Sequence, residues 1–370
     1  MGHDRWNGVD IYTKMKLFNK LIFVGNTLLI LLTLGAYLAP YIPPNKSSII
    51  AILGLGYPAL LMANIACILY WLLFKSKWAL ASFFVLLVGI NNIFDLIGIQ
   101  NSEQANANTT TLKVGTLNMQ FSKPIRSGNK KQQKVKEKAF RKYLAQFKDL
   151  DVLCLQEHSS YSRFHLTEVL QFKYRHLSKG QYVALYSRHP IVNKGIFKNF
   201  SENKANNCIW VDILVNKKDT VRVYSTHLEA NQQTGTIPKE IVETAKEVPL
   251  NTSIALGILK YYQEFTAKRV VQAYKIRQHQ KESLYPTILC GDMNDTPQTH
   301  LYKVLKGNQK DSFRENGKGL GATFGSTLKN KLANLRIDYI FTDPRLEVLS
   351  HEIFPSVFSD HYLVQSEIQL

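Results

Sequence analysis

Cysteine is scarce in this chain, and its placement excludes a disulfide-framed or zinc-clustered fold. Only four occur in 370 residues. Cys67 lies in a long apolar run, while Cys154, Cys208 and Cys290 sit in strand-like apolar segments, where buried thiols are common. No two stand at zinc-motif spacing. Acidic residues are also short: 28 Asp and Glu face 46 Lys and Arg, for a net charge of +18. Seven of the basic and three of the acidic residues precede Gln100, which leaves +14 for the rest. Such an excess suits an anionic partner: nucleic acid, a phospholipid surface or a phosphorylated small molecule. The chain has no internal repeat, which argues against solenoids and propellers. It also lacks a clustered aromatic platform and a minor-groove arm, which weakens a nucleic-acid-reading module. Trp6 stands where a myristoylation signal needs Ser or Thr, so Met1-Gly2 is no strong lipidation site.

Charge itself is nearly missing from the first hundred residues. Leu17 to Ala39 is apolar apart from Asn19, Lys20, Asn26, Thr27 and Thr33. Ile49 to Phe74 has no formal charge, and Trp78 to Ile99 has only Asp95. Each run exceeds the roughly 20 residues that cross a hydrocarbon core as a helix. The pattern predicts a membrane anchor over residues 1–100, with three transmembrane helices at about 17–39, 49–74 and 78–99. A cleaved signal peptide would explain the first run but not the two that follow. Lys14 and Lys16 precede the first run, Lys20 lies at its start, and Lys75 and Lys77 lie between the second and third. Lysine stays on the cytoplasmic side. The N-terminus is therefore expected inside, and three crossings put the rest on the extracytoplasmic side. Asp95 lies near a span end, where water or a neighbouring helix could satisfy it. Residues 101–111 are polar, without an apolar period, and read as a linker.

The remaining residues, 112–370, suffice for one large layered α/β domain. Apolar runs place strands at 112–117, 151–155, 182–187, 208–215, 221–226, 287–290, 337–341 and 363–369. Helices fall near 130–148, 163–170, 254–283 and 299–306. In the first of these, Val135, Ala139, Tyr143, Leu144 and Phe147 share a face and leave the lysines to solvent. Polar side chains gather at the strand ends: Asn118, Gln156-Glu157, His227, Asp338, and Ser359-Asp360-His361. The densest cluster is Pro286 to Pro297, where an apolar strand meets Gly291 and a turn presents Asp292 and Asn294. Residues two apart on an extended segment point the same way. A carboxylate and an amide thus aim at one small volume.

The set Asn118, Gln156-Glu157, Thr226-His227-Leu228, Gly291-Asp292-x-Asn294, Ile337-Asp338-Tyr339 and Ser359-Asp360-His361 resembles the endonuclease/exonuclease/phosphatase superfamily, in that family's motif order. The resemblance implies a four-layer αββα sandwich and metal-dependent hydrolysis of phosphate esters. Glu157 would bind Mg2+, or Mn2+, with Asn118 and Asp360 as further metal-site residues. Asp292 would orient or deprotonate water, Asn294 and His361 would hold the phosphate with Asn118 in support, and Asp338 would keep His361 charged. His227 would stabilise the transition state or protonate the leaving oxygen. AP-endonuclease-like members carry an acidic residue at the position of Gln120 and Lys at that of Ser159, so abasic-site recognition is not implied. The expected substrate is a phosphodiester, nucleic acid or phospholipid. A phosphorylated sugar or inositol is the alternative, and an inactive membrane scaffold the non-enzymatic one. The polar insert Glu229 to Gly257 borders the expected mouth, and Arg269 is expected on a helix surface.

Overall fold

The computed structural model describes residues 4–74, 76–99, 109–216, 218–230, 252–325 and 335–370. Linker residues 101–108 and most of the insert after Glu229 lie outside these. Among the described residues, one helix is long and apolar enough to cross a bilayer: Met15–Leu38, within α1 (Asp4–Leu38). The second expected span is broken. α2 (Ser48–Leu55) and α3 (Tyr57–Leu73) are bent by 64° at Gly56, which caps α2 just before Pro58 opens α3. The third ends early. α4 (Ala79–Val88) is a helix of 10 residues, about 15 Å long against a hydrocarbon core of about 30 Å. Gly89 closes it, a single turn α5 (Ile90–Phe94) follows, and the chain extends into β1 (Ile97–Gly98). Three transmembrane helices are therefore not what this segment forms.

From residue 109 the chain builds two six-stranded mixed sheets. In the first, the order is β13 (Glu347–Phe354), β14 (Leu363–Gln369), β2 (Thr111–Asn118), β3 (Val152–Gln156), β5 (Ala184–Ser187) and β4 (Tyr174–Leu177). In the second, it is β10 (Lys310–Asp311), β12 (Asp338–Thr342), β9 (Thr287–Asp292), β8 (Thr220–His227), β7 (Asn207–Leu214) and β6 (Ile191–Ile196). Only β2–β3 and β8–β9 pair in parallel, at the centre of each sheet. Alternate side chains face each other between the sheets: Val114, Cys154 and Leu185 from one, Val211, Val223 and Cys290 from the other. The opposite face of the first sheet carries α6 (Lys123–Arg126), α7 (Lys130–Leu144) and α8 (Ser160–Leu170), packed through Phe140, Leu144 and Leu166. The second sheet is covered by α9 (Thr252–Lys281) and α10 (His300–Lys306), through Ala273, Ile276 and Leu305. The result is the αββα layering expected from sequence. Every expected strand and helix of this part is present, with ends shifted by up to four residues. The face of α7 departs in two places, because Val135 and Ala139 are exposed.

The apolar helices dock on the sandwich. β1 pairs with β11 (Gly319–Leu320), and Asp95 bonds Arg314 of α11 (Ser312–Asn316) at 2.9 Å. Arg336 donates to the Asp95 carbonyl at 2.9 Å, His300 Nδ1 to the Pro40 carbonyl at 2.9 Å, and Gln298 to the Asn92 carbonyl at 3.2 Å. Asp95 thus serves the junction between the two parts and not a bilayer-facing role. Beside it, His351 on β13 is enclosed, its Nδ1 2.8 Å from the Ser312 hydroxyl. Burial drives its pKa down to about 3, against the pull of Asp311.

This histidine makes the fold acid-sensitive. Its folded pKa lies below the unfolded value of about 6.5, so stability is complete above that pH and is lost as pH falls toward 3. At pH 4 the loss from this one group is on the order of 3 kcal/mol. Thermal unfolding followed by tryptophan fluorescence at pH 7 and pH 4.5 should show a smaller drop in Tm for His351→Gln than for the unaltered chain.

Candidate active site

Register assembles the site. The parallel pairing of β8 and β9 sets His227 beside Asp292, and the antiparallel pairing of β9 and β12 sets Asp338 on its other side. The pairing of β2 and β3 likewise sets Asn118 beside Gln156, just before Glu157. Across the seam, Asn118 Nδ2 donates to Asp292 Oδ2 at 2.9 Å and joins the two sheets. Gly291 makes the close approach possible. Its φ is +145°, and a Cβ there would lie 1.9 Å from the Thr226 carbonyl oxygen. The following turn closes on itself, with the Asn294 amide donating to Asp292 Oδ1 at 2.9 Å and Asn294 Nδ2 to the Leu228 carbonyl at 3.1 Å. Asn294 and Glu157 both hold left-handed backbone, φ +53° and +46°, which swings their side chains out of the strand direction. Gln120, Phe121 and Ser122 do the same in succession along the rim.

Asp338 and His361 form a buried pair, 2.9 Å between Oδ2 and Nδ1. Thr323 donates to the same Asp338 oxygen at 2.7 Å. Burial opposes charge on the imidazole, but Asp338 and Asp292 outweigh it and raise the pKa of His361 to about 10. The ring is therefore an imidazolium at neutral pH, with Nε2 3.7 Å from Asp292. His227 lies on the other side of Asp292, Nε2 3.5 Å from Oδ2, while Nδ1 is 3.2 Å from the Ala205 carbonyl. A carbonyl only accepts, so Nδ1 carries the proton.

These groups meet a cavity of about 380 Å³. Asn118, Glu157, Asp292, Asn294, Asp360 and His361 line it directly. Asp338 and His227 stand behind that wall, 1% exposed each. His227 is thus set back from the cavity, beside Asp292. Residues that sequence reasoning passed over also line it: Gln120, which donates to Asp360 Oδ2 at 2.9 Å, and Lys123, Tyr262, Phe324 and Leu55. The turn chemistry after Asn118 could have flagged the first two, but nothing local marks the others. Ser159 is the N-cap of α8 and makes a capping box with Ser162. Arg269 is no surface residue: it is fully buried, donating to the Glu229 carbonyl at 3.0 Å, with Asp295 3.6 Å away.

A divalent cation suits one part of this wall. Glu157, Asp360 and the second lone pair of the Asn118 carbonyl offer oxygen donors alone, the preference of Mg2+. Burial, reinforced by Asp292, raises the pKa of Glu157, and an adjacent cation would restore its charge. Asp292, Asp338 and His361 also bring donor atoms within 4.8 Å of one another. Those atoms already share protons among themselves, and a charged imidazole repels a cation, so that trio is the proton-holding part.

Gly291→Ala should cost more than about 3 kcal/mol, because the strand must move off Thr226 or adopt strained backbone. Chemical denaturation should show it, with hydrolytic activity falling further than the folded fraction as Asp292 shifts.

Residues 115–361 match the model of the Endonuclease/Exonuclease/phosphatase family. Residues 19–96 match a domain of unknown function (DUF8431). No curated protein matches the chain. Among solved structures, an endonuclease/exonuclease/phosphatase from Bacteroides vulgatus is 17% identical with a TM-score of 0.51, covering 70% of this chain and 99% of that one. D. rerio TDP2, complexed with single strand DNA product, is 14% identical with a TM-score of 0.51, covering 70% of this chain and all of that one (100%). The mannosyl-6-phosphatase Bt3783 of Bacteroides thetaiotaomicron is 20% identical with a TM-score of 0.48, covering 70% and 99%. At these identities the structural likeness is one of fold. The family match, which spans more than half of the chain, decides the matter: this protein belongs to the endonuclease/exonuclease/phosphatase family.

Proposed function

We propose that this chain is a metal-dependent phosphodiesterase held at a membrane by its first helix. The single observation that carries the hydrolytic reading is the convergence on one cavity of Glu157, the Asn118–Asp292 pair and the charged Asp338–His361 pair. An inactive scaffold would have no use for an imidazolium buried beside two carboxylates. The helix Met15–Leu38 supports attachment, with Lys14 ahead of it and Lys16 in its first turn favouring a cytoplasmic N-terminus. One crossing keeps the catalytic residues on the extracytoplasmic side; counting the bent α2–α3 pair as a second would reverse them.

In this reading Glu157, Asp360 and Asn118 would hold Mg2+, which would supply positive charge to the phosphoryl oxygens. Imidazolium His361 and the Asn294 amide orient the phosphate and neutralise charge as it grows on the equatorial oxygens. Asp292, held by Asn118, accepts the proton of the attacking water while the new P–O bond forms and the ester P–O bond breaks. The departing oxygen takes its proton from solvent at the open mouth. The phosphodiester is preferred over a monoester because the anionic wall of Glu157, Asp292 and Asp360 suits a singly charged phosphate better than a doubly charged one.

Glu157→Gln keeps size and removes a negative ligand. With bis(4-nitrophenyl) phosphate, turnover should fall at least ~100-fold at limiting magnesium and recover partly at high magnesium. Equal activity at low magnesium removes Glu157 from the metal site. The Asp338–His361 pair is tested by rate against pH in four proteins. Asp338→Asn takes away the neighbour that holds the imidazole charged, so its activity should drop mainly on the alkaline side of neutrality. His361→Ala should lose roughly 100-fold or more at every pH, and the double variant should be little worse, because the two residues act as a unit. Equal rates in all four, with unchanged circular dichroism, would turn the reading into a scaffold.

A further inference from the structure

The catalytic cavity is not built from the sandwich alone. Leu55, the last residue of α2, lines it together with Asn118, Glu157 and Asp292. Two features of the apolar segment bring it there. The 64° bend at Gly56 turns α2 away from the direction of α3. Gly54 then allows close docking: a Cβ at that position would lie 2.4 Å from the Gln298 carbonyl oxygen and 2.5 Å from the Ala39 Cβ. Gln298 belongs to the loop that follows the Asp292–Asn294 turn, so α2 is seated against the loop that carries the chemistry.

The cavity wall is mixed in character. Its carboxylates, amides and imidazolium suit a phosphate. Leu55, Phe121, Phe324, Leu335 and Ile337 add apolar surface, the Phe324 ring lying 4.8 Å from that of His361. A small hydrated ester would leave that surface wet, whereas an aliphatic chain would cover it. The segment that contributes Leu55 also exposes Leu21, Val24 and Leu28 on α1 and Leu69 and Leu72 on α3, a surface fit for hydrocarbon. The mouth is thereby tied to the apolar segment of the chain.

We infer that the substrate is an amphiphile, a phosphodiester whose alcohol carries an aliphatic chain, and that Leu55 of the apolar segment is a specificity-determining residue that packs on this chain. The inference rests on the hydrolytic reading of the same site. Substrate would enter from the membrane interface, its phosphate reaching Asn294 and His361 while its chain stays against α2.

The test uses the full chain in detergent micelles and a ladder of 4-nitrophenyl alkyl phosphates with methyl, butyl and octyl groups. For the unaltered protein, kcat/KM should rise at least ~10-fold from methyl to octyl. Leu55→Asp should cut that octyl-to-methyl ratio by about tenfold, and Leu55→Met should keep it. Gly54→Val, which pushes α2 off Gln298, should flatten the ladder as Leu55→Asp does. A flat ladder in the unaltered protein, or one that survives both Leu55→Asp and Gly54→Val, overturns the inference. Absence of hydrolysis for every ester would instead sink the hydrolytic reading. Titration calorimetry with methyl, butyl and octyl phosphate then runs the same ladder without turnover: affinity that rises with chain length and loses that rise in Leu55→Asp supports the inference, and affinity independent of chain length refutes it.

Discussion

One hydrogen bond, from Asn118 to Asp292, fixes where the two halves of the site meet across the packed sheets. Each sheet alone presents half a site: Asn118 and Glu157 from the parallel pair of the first, His227, Asp292 and Asp338 from three adjacent strands of the second. Burying Asp292 at this seam is costly unless its oxygens are satisfied. The Asn118 side chain and the Asn294 backbone amide do so, each donating to one oxygen. The same partners that make the carboxylate tolerable in the interior also fix where it points. Stability and chemistry therefore draw on a common set of contacts, and the glycine before Asp292 is there because no side chain fits between the strands.

Much of the sandwich was legible because its strands are short apolar runs that end in polar clusters. Those runs located β2, β8 and β9 to within two residues, and the clusters at their ends are the ones that meet. Edge strands were harder. β13 mixes Glu347, Ser350, His351 and Glu352 among its apolar residues, and its pattern shows only once Ser312 and Ser366 are seen to hold the histidine. Arg269 was illegible for a related reason: a helix of 30 residues with a weak apolar stripe hides which turn meets the loop carrying Asp295.

The apolar segment misled more deeply. Hydropathy counts residues and takes no account of where a helix bends. Gly56 and Gly89 divide the second and third runs, and Asp95, Gln298 and His300 then bind the pieces to the sandwich. A run that is apolar enough to enter a membrane can equally serve as a wall between membrane and enzyme. Sequence composition does not separate those uses, because both require the same side chains.

Arg336 shows how far the two parts depend on each other. Its guanidinium is buried against Phe313 and Tyr339, bonds Asp311 at 2.7 Å, and spends another donor on the carbonyl of Asp95. Arg314 and the edge of β11 are likewise completed by the segment before residue 99. A chain begun at the linker would keep every catalytic side chain yet strand one buried donor, one carboxylate partner and one strand edge, and would open the cavity on the side of Leu55. The apolar segment is in this sense the missing face of the enzyme and not a tether to be clipped for solubility. Purification strategies that discard it would deliver a protein with a different pocket.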